Sequence, residues 1–220
     1  MSFFFTYSAD DVEYILTPAG YIALAVILAA ILLSTAVFGR KKDVQNGTKR
    51  LVFCAAAMSL ATITSYIKFA ALPFGGSITL FSMFFVSLIG FLYGPSAGIT
   101  TGIAYGILQL IMQPYIYHPL QVLLDYPLAF GMLGLSGFLA RKKYGLITGY
   151  ALGVFGRYIC HVLSGYIFFA NYAPEGMNPL VYTLGYNASY IVPELAATCA
   201  LLLTPAVIKG LSSVKAMANS

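Results

Sequence analysis

The sequence predicts an all-α integral membrane protein that folds as one helical bundle. Of its 220 residues, 60% are hydrophobic and only 9% are charged, whereas a soluble domain usually carries about 25% charged residues. A soluble core could not bury so much apolar surface. The net charge of +5 does not indicate nucleic-acid binding, because the basic residues form short clusters between apolar runs, as topology signals do. The partner predicted from composition is therefore the lipid bilayer, and no nucleic acid is expected.

Charged clusters and breaks rich in Pro and Gly divide the apolar sequence into seven spans. Each span is judged against the roughly 20 apolar residues that a membrane helix needs. The breaks include LPFGGS, YGPS, MQPYIYHP and NYAPEGMNP. The predicted spans are Tyr14–Gly39, Leu51–Leu72, 78–92, 96–113, Pro119 to the ARKK cluster at 140–143, Tyr144–Ala170 and Leu180–Val207. We therefore expect an N-terminal extension over residues 1–45 with one extra transmembrane helix, followed by a six-helix membrane domain over residues 46–220.

Basic residues set the expected orientation, because Lys and Arg concentrate in cytoplasmic loops. They follow the first, fifth and seventh spans, at Arg40, Lys41, Lys42, Lys49 and Arg50, at Arg141, Lys142 and Lys143, and at Lys209 and Lys215. With all three clusters in the cytoplasm, the N-terminus lies outside and the C-terminus inside. The loops at 73–77, 114–118 and 171–179 then lie outside the cell membrane.

Small residues recur four positions apart in three of the spans. This spacing puts them on one helix face, where they let helix backbones approach closely. The positions are Gly98, Gly102 and Gly106, then Gly145, Gly149 and Gly153, and finally Ala57 and Ala61. We expect the glycines to pack internally. Ala57 and Ala61 could pack internally or present a smooth face to a partner protein.

Polar side chains inside the spans are the candidates for function, because such residues are costly in a membrane. At about 1.5 Å per residue from the outer helix ends, Asp125 lies about 9 Å deep, Asn187 about 10 Å and His161 about 13 Å. If their helices bundle, these three side chains converge on one cavity that opens outward. Arg157 and Glu194 lie about 20 Å deep on the same count. We expect them to pair with each other and form the cavity floor.

Aromatic residues surround these polar positions, and Tyr182 lies near the outer surface. The set comprises Tyr115, Tyr117, Tyr126, Tyr166, Phe168, Phe169, Tyr172, Tyr182, Tyr186 and Tyr190. About half of them are expected to be interfacial anchors. An acid among aromatic faces suits a cationic heterocycle, through charge pairing and cation–π attraction.

Three segments of the sequence resemble a known family. They are AAAMSLATITSYIKFAALPFGGS, YHPLQVLLDYPLAFGMLGLSG and RYICHVLSGYIFFANYAPEGMNPLVYTLGYNAS, and they are similar to the thiamin-specific S-component of energy-coupling factor (ECF) vitamin transporters. The resemblance covers about Lys49 to Lys209 and leaves the first span outside. It implies capture of thiamin or a close analogue from outside, docking on a transmembrane scaffold subunit with two ATPases, and release inside.

The resemblance also implies roles for single residues. In that family an acid followed by Tyr binds the aminopyrimidine, and these positions match Asp125 and Tyr126. The remaining binding positions match Tyr115, Arg157, His161, Phe169, Tyr182 and Asn187, and the docking motif of small residues matches Ala57 and Ala61. Family members carry Glu at the position of Asp125, Lys at that of Arg157, and Trp at those of Phe169 and Ser77. Because this chain has no Trp, an S-component for another vitamin or precursor remains an alternative.

A catalytic alternative rests on the string GLSG at Gly134–Gly137, which rhomboid-type intramembrane serine proteases also carry. His161 would then be the base for Ser136, and the two must lie within hydrogen-bond reach. The predicted topology separates them by roughly 20 Å in depth, so proteolysis is not expected. The sequence contains no Walker A motif either, and we expect neither an enzyme nor a cofactor.

Overall fold

The computed structural model describes residues 5–8, 13–23, 26, 44–72, 76–79 and 81–219. Over these residues the chain is mostly helical, as predicted. The helices are α1 (Val44–Ser65), α2 (Ser82–Tyr93), α3 (Pro95–Met112), α4 (Pro119–Leu139), α5 (Gly145–Phe168), α6 (Pro179–Leu202) and α7 (Pro205–Asn219). A helix therefore occupies each of the six predicted core positions.

Two short antiparallel hairpins correct the prediction of an all-α chain. Strand β1 (Phe5–Ser8) pairs with β2 (Glu13–Leu16), and β3 (Lys68–Ala71) pairs with β4 (Ser77–Thr79). The first predicted span therefore begins in a strand; residues 18–23 are helical, and most of the rest of that span lies outside the described residues.

Helix α1 ends seven residues before the predicted end of its span at Leu72. Hydroxyl side chains in its last turn bond back to main-chain carbonyls, from Thr64 to Leu60 at 2.8 Å and from Ser65 to Thr62 at 2.7 Å. Such local bonds compete with the helical ladder and favour termination. Lys68, predicted near the end of a membrane helix, lies instead in strand β3.

The loops before α4 and α6 end in side-chain caps. The imidazole of His118 accepts from the amide of Leu120 at 3.2 Å, and the amide oxygen of Asn178 accepts from that of Leu180 at 2.9 Å. Each cap is followed by a Pro at the first helical position, where the missing N–H costs nothing. These caps fix where two site-bearing helices begin.

Two helices of the described chain, α4 and α5, are long and apolar enough to cross a membrane. A third span results if α6 and α7, which meet at a bend of 84°, are counted together. The bend divides the predicted span Leu180–Val207, because Pro205 cannot continue the ladder of α6. These spans support a membrane protein, whereas the count of seven stays a prediction.

The interior confirms that the glycine series pack inside the bundle. A Cβ added at Gly98 would lie 2.8 Å from the Cα of Gly134 on α4, and one at Gly153 would lie 2.8 Å from the carbonyl oxygen of Leu133 on α4. Only glycine permits these backbone approaches. Helices α3 and α5 can therefore enclose α4 closely, and α4 carries the acid–Tyr pair.

Ala57 and Ala61 also pack internally, so the prediction that they form a docking face is wrong. Their exposed fractions are 6% and 0%, and the carbonyl of Ala61 accepts a hydrogen bond from the buried Tyr105 hydroxyl at 3.0 Å. The exposed small residues of α1 include Ala55, Ala56 and Ser59, next to this buried pair. Sequence spacing identified a small-residue face, but the neighbouring helices decide which face is covered.

Candidate ligand-binding site

A partly open cavity of about 180 Å³ lies among α3, α4, α5, α6 and the β3–β4 hairpin. All eight residues predicted to bind a ligand line it: Tyr115, Asp125, Tyr126, Arg157, His161, Phe169, Tyr182 and Asn187. They come from the loop before α4, from α4 itself, from α5 and its C-terminal end, and from α6. The structure therefore brings together residues that lie as many as 72 positions apart in sequence, from Tyr115 to Asn187.

A widened turn of α4, Leu124–Leu128, carries the acid that lines the cavity. Pro127 within this turn has no N–H to donate to the helical ladder. The amide of Ala129 bonds to the carbonyl of Leu124, five residues back, which makes the turn π-helical. Such turns are frequent at functional sites, and Asp125 is the acid that this one presents.

Three side chains hold the carboxylate of Asp125. Its Oδ1 lies 2.9 Å from Nδ1 of His161, and its Oδ2 accepts from Nε2 of Gln121 at 2.7 Å and from Oγ of Ser164 at 2.8 Å. The side chain is nevertheless 16% exposed, and this exposed part lies in the cavity wall. The acid is thus fixed in position but still accessible.

The hydrogen bonds also define which ring nitrogen of His161 carries the proton. Nε of Arg157 lies 3.1 Å from Nε2 of His161, and a guanidinium can only donate. Nε2 is therefore an acceptor, so the proton is on Nδ1 and is donated to Asp125. Arg157, His161 and Asp125 form a directed chain of hydrogen bonds that ends on the Asp125 side chain.

The predicted ion pair between Arg157 and Glu194 is not formed. The Arg157 guanidinium lies over the ring of Phe130 at 4.0 Å, and its Nη1 is buried without a hydrogen-bond partner. Among the described residues the single pair of opposite charge type within 4.0 Å is His161–Asp125. Both Arg157 and Glu194 still line the cavity, but they do not contact each other as predicted.

Glu194 instead binds the start of α2. It accepts from the Thr79 hydroxyl at 2.7 Å, the Ser82 hydroxyl at 3.3 Å and the Met83 amide at 3.2 Å. Helix α2 follows Phe81, which has a φ of 59° and makes no side-chain cap of its own. Since the first amides of a helix need acceptors, the carboxylate from α6 supplies the missing cap.

Asn187 joins α5 and α6 beside His161. Its Nδ2 donates to the carbonyls of Thr183 at 2.9 Å and His161 at 3.4 Å, while its Oδ1 accepts from the Tyr190 hydroxyl at 2.6 Å. Both donor hydrogens of the amide are therefore engaged within the protein. The side chain lines the cavity and also holds the two helices in register.

An aromatic cluster closes one side of the cavity around Phe169. Its ring centroid lies 6.1 Å from that of Tyr115 in a stacked arrangement, 5.2 Å from that of Tyr117 and 6.0 Å from that of Tyr172. At these separations aromatic rings attract each other. Tyr115, Phe169 and Tyr172 of this cluster line the cavity, so one of its sides is aromatic.

The hydroxyl of Tyr126 anchors the loop that carries part of this cluster. It donates to the carbonyl of Gln113 at 3.0 Å and accepts from the amide of Tyr115 at 2.9 Å. Its ring lines the cavity. The acid–Tyr pair thus combines an accessible carboxylate with a residue that fixes the adjoining loop.

Gln121, Ser164 and the β3–β4 hairpin were not among the residues and elements predicted from the sequence. Gln121 lies four residues before Asp125, and Ser164 three residues after His161, so both share helix faces with predicted residues. Extending each face by one turn would have found them. The hairpin contributes Lys68, Gly76, Ser77 and Thr79 to the cavity lining, and only its LPFGGS turn was evident.

The structure excludes the Ser–His arrangement of a protease. Ser136 is 1% exposed, and its hydroxyl donates to the carbonyl of Ser87 at 2.6 Å. Both ring nitrogens of His161 are engaged elsewhere, by Asp125 and Arg157. Among the described residues, no base is hydrogen-bonded to this serine, as nucleophilic activation would require.

Comparison with known proteins gives one consistent match. Residues 51–212 match the model of the family described as thiamine transporter protein (Thia_YuaJ). The thiamine transporter ThiT of Bacillus subtilis (strain 168) is 37% identical over 170 residues, which are 70% of this chain and 88% of that protein. ThiT of Lacticaseibacillus paracasei is 34% identical over 103 residues, or 39% of this chain and 51% of that protein.

A solved structure shares the fold. ThiT from Listeria monocytogenes superposes with a TM-score of 0.64 at 21% sequence identity, covering 77% of this chain and 96% of that one. At this identity the likeness concerns the backbone architecture alone.

Proposed function

Since this chain belongs to the thiamine transporter family, matching its model over residues 51–212, we propose that it is the thiamin-binding subunit of an ECF-type ABC importer. It is a membrane transport protein and not an enzyme. The observation that carries the proposal is the Asp125 carboxylate, held by His161, Gln121 and Ser164 in a cavity with an aromatic side.

The two rings of thiamin have complementary requirements. The aminopyrimidine carries an exocyclic amine that can donate to a carboxylate, and such charge-assisted bonds are short and strong. The thiazolium is a permanent cation, which aromatic faces attract. Asp125 serves the first ring, while Tyr115, Phe169 and Tyr182 provide faces for the rings. Phe169 replaces the family's Trp with a smaller aromatic face.

The other cavity residues support this arrangement. His161 fixes the carboxylate, and Arg157 fixes His161 through Nε. Tyr126 holds the loop of Tyr115, and Asn187 holds α5 against α6 at the level of His161. In this proposal they act by preorganising the site, which lowers the ordering cost of binding.

We propose that transport is driven by further subunits that bind ATP, as the resemblance implies, since this sequence carries no Walker A motif of its own. We propose that the cavity opens outward, with the N-terminus outside and the C-terminus in the cytoplasm of the cell. The loaded subunit docks on a transmembrane scaffold with two ATPases and releases thiamin inside. Docking would use the exposed small residues Ala55, Ala56 and Ser59 of α1, where another helix can approach closely.

A binding screen of the purified full-length protein against the B vitamins tests the function. We expect calorimetry to give one thiamin per chain without ATP. A response to a different vitamin and none to thiamin would identify an S-component of other specificity. Absence of any response from a folded sample would overturn the proposal.

A further inference from the structure

Gln121 is buried, with 1% of its surface exposed, yet it lines the cavity one helical turn before Asp125. A buried amide must place all its polar atoms against partners. We infer that Gln121 is the positioning residue that makes the site select an amino-substituted pyrimidine over an oxo-substituted one. This inference rests on the proposed function.

The contacts of Gln121 fix the orientation of its amide. Oε1 accepts from the amide of Tyr117 at 3.1 Å, so the oxygen must be on that side. Nε2 faces two acceptors, the carbonyl of Tyr115 at 3.3 Å and Oδ2 of Asp125 at 2.7 Å. A flipped amide would place oxygen against oxygen on one side and hydrogen against hydrogen on the other. The side chain therefore has one allowed orientation.

This orientation of Gln121 leaves one hydrogen-bond acceptor site of Asp125 for a ligand. A carboxylate offers about four acceptor sites, two on each oxygen. Gln121 and Ser164 occupy both sites of Oδ2, whereas His161 occupies one site of Oδ1. The remaining acceptor site is on Oδ1. It accepts an N–H from a ligand amine and repels the oxygen of a ligand oxo group.

The same amide connects the carboxylate to the aromatic side of the cavity. Both loop residues that it binds, Tyr115 and Tyr117, contact the ring of Phe169. Gln121 therefore fixes the carboxylate and the neighbouring π-faces relative to each other. A pyrimidine lying against these faces presents its edge to Oδ1 in a single register.

The test compares thiamin with oxythiamin, in which an oxo group replaces the pyrimidine amine. The measured quantity is the ratio of the oxythiamin Kd to the thiamin Kd, by calorimetry on the full-length protein. Gln121→Met preserves length but removes the amide, and Gln121→Ala removes it without steric conflict. The matched control is Gln113→Met, because Gln113 lines the same cavity but donates to Ser65 at 3.4 Å and not to Asp125.

We expect the ratio to fall by at least about tenfold in either folded Gln121 variant, the size of one charge-assisted hydrogen bond, and to stay unchanged in Gln113→Met. Equal weakening of both ligands would show a merely structural role and overturn the inference. So would a wild-type protein that binds both ligands equally, or Gln121 variants with an unchanged ratio. A wild-type protein that binds neither ligand would instead refute the proposed function itself.

Discussion

Oδ1 of Asp125 on α4 lies 2.9 Å from Nδ1 of His161 on α5, although the residues are 36 positions apart. Since Arg157 donates to the other ring nitrogen, the histidine donates to the acid. The acid is thus oriented before any ligand arrives. Binding then requires little reordering of the site, and preorganisation of this kind raises affinity.

Asp125→Asn is expected to weaken thiamin binding by about 10- to 150-fold, equivalent to about 1.5–3 kcal/mol for a bond to a charged group. The amide lacks the charge and brings an NH₂ group among three donors. Tyr117→Phe is the control, because the main-chain amide of Tyr117 and not its hydroxyl binds Gln121. Calorimetry measures both variants, and an unchanged affinity for the Asn variant would remove Asp125 from the site.

Arg157→Met should reduce affinity by about tenfold, because His161 loses the donor that fixes its tautomer and a bond to a charged group is lost. Arg157→Lys should retain much of the affinity, since an ammonium can still donate to Nε2. Titration of both variants with thiamin provides the measurement. Equal losses in Lys and Met variants would mean that the guanidinium contacts the ligand itself.

Glu194→Leu should lower the melting temperature of the purified protein more than Glu194→Gln. The Leu variant leaves the Met83 amide and two hydroxyls without their acceptor, and an unmet buried donor costs about 1–3 kcal/mol. The Gln variant keeps one acceptor oxygen.

The effects of Glu194→Leu and Arg157→Met on stability should add in the double variant, because the two residues are not paired. A coupling free energy above about 1 kcal/mol between the two substitutions would show that Arg157 and Glu194 interact after all.

Ala56→Trp and Ala61→Trp should have different consequences. Ala56 is exposed, so its variant should fold and bind thiamin, while the bulky ring prevents close approach of a scaffold helix and abolishes uptake. Ala61 is 0% exposed, so its variant should overpack the core and lose stability. Uptake by cells and binding by purified protein separate the outcomes. Normal uptake by Ala56→Trp would place docking elsewhere.

Deletion of residues 1–43, up to the start of α1, should leave thiamin binding within about twofold of the full chain. Among the described residues, those that line the cavity run from Ser65 to Glu194. Tyr21 packs against the cluster of Leu110, Ile116 and Val122, so a modest loss of thermal stability is expected. A folded truncation without binding would show that the N-terminal segment completes the site.

The sequence was sufficient to bring Asp125, His161 and Asn187 together, because helix rise fixes the depth of a residue once the helix ends are known. Depth does not fix rotation about the helix axis. For that reason Arg157 and Glu194, which do line one cavity, were wrongly paired, and Ala57 and Ala61 were assigned to an exposed face although both are buried.

The β3–β4 hairpin was missed for a different reason. Its residues continue the apolar run of α1, and a short apolar run does not distinguish a strand from a helix. Helix α1 ends where hydroxyl groups bond to main-chain carbonyls, such as that of Ser65. These hydrogen bonds are apparent only in the folded structure. The cap that Glu194 provides for α2 is likewise invisible in local sequence, because Phe81 and its neighbours contain no capping pattern.

The cap on α2 has a consequence for biogenesis. Met83 and Glu194 are 111 residues apart, so during synthesis from the N-terminus α2 is made long before its acceptor. The first turn of this helix is completed only when α6 has been inserted. The part of the cavity wall formed by β4 and α2 is then completed last. A chain interrupted before α6 therefore cannot form a complete binding site.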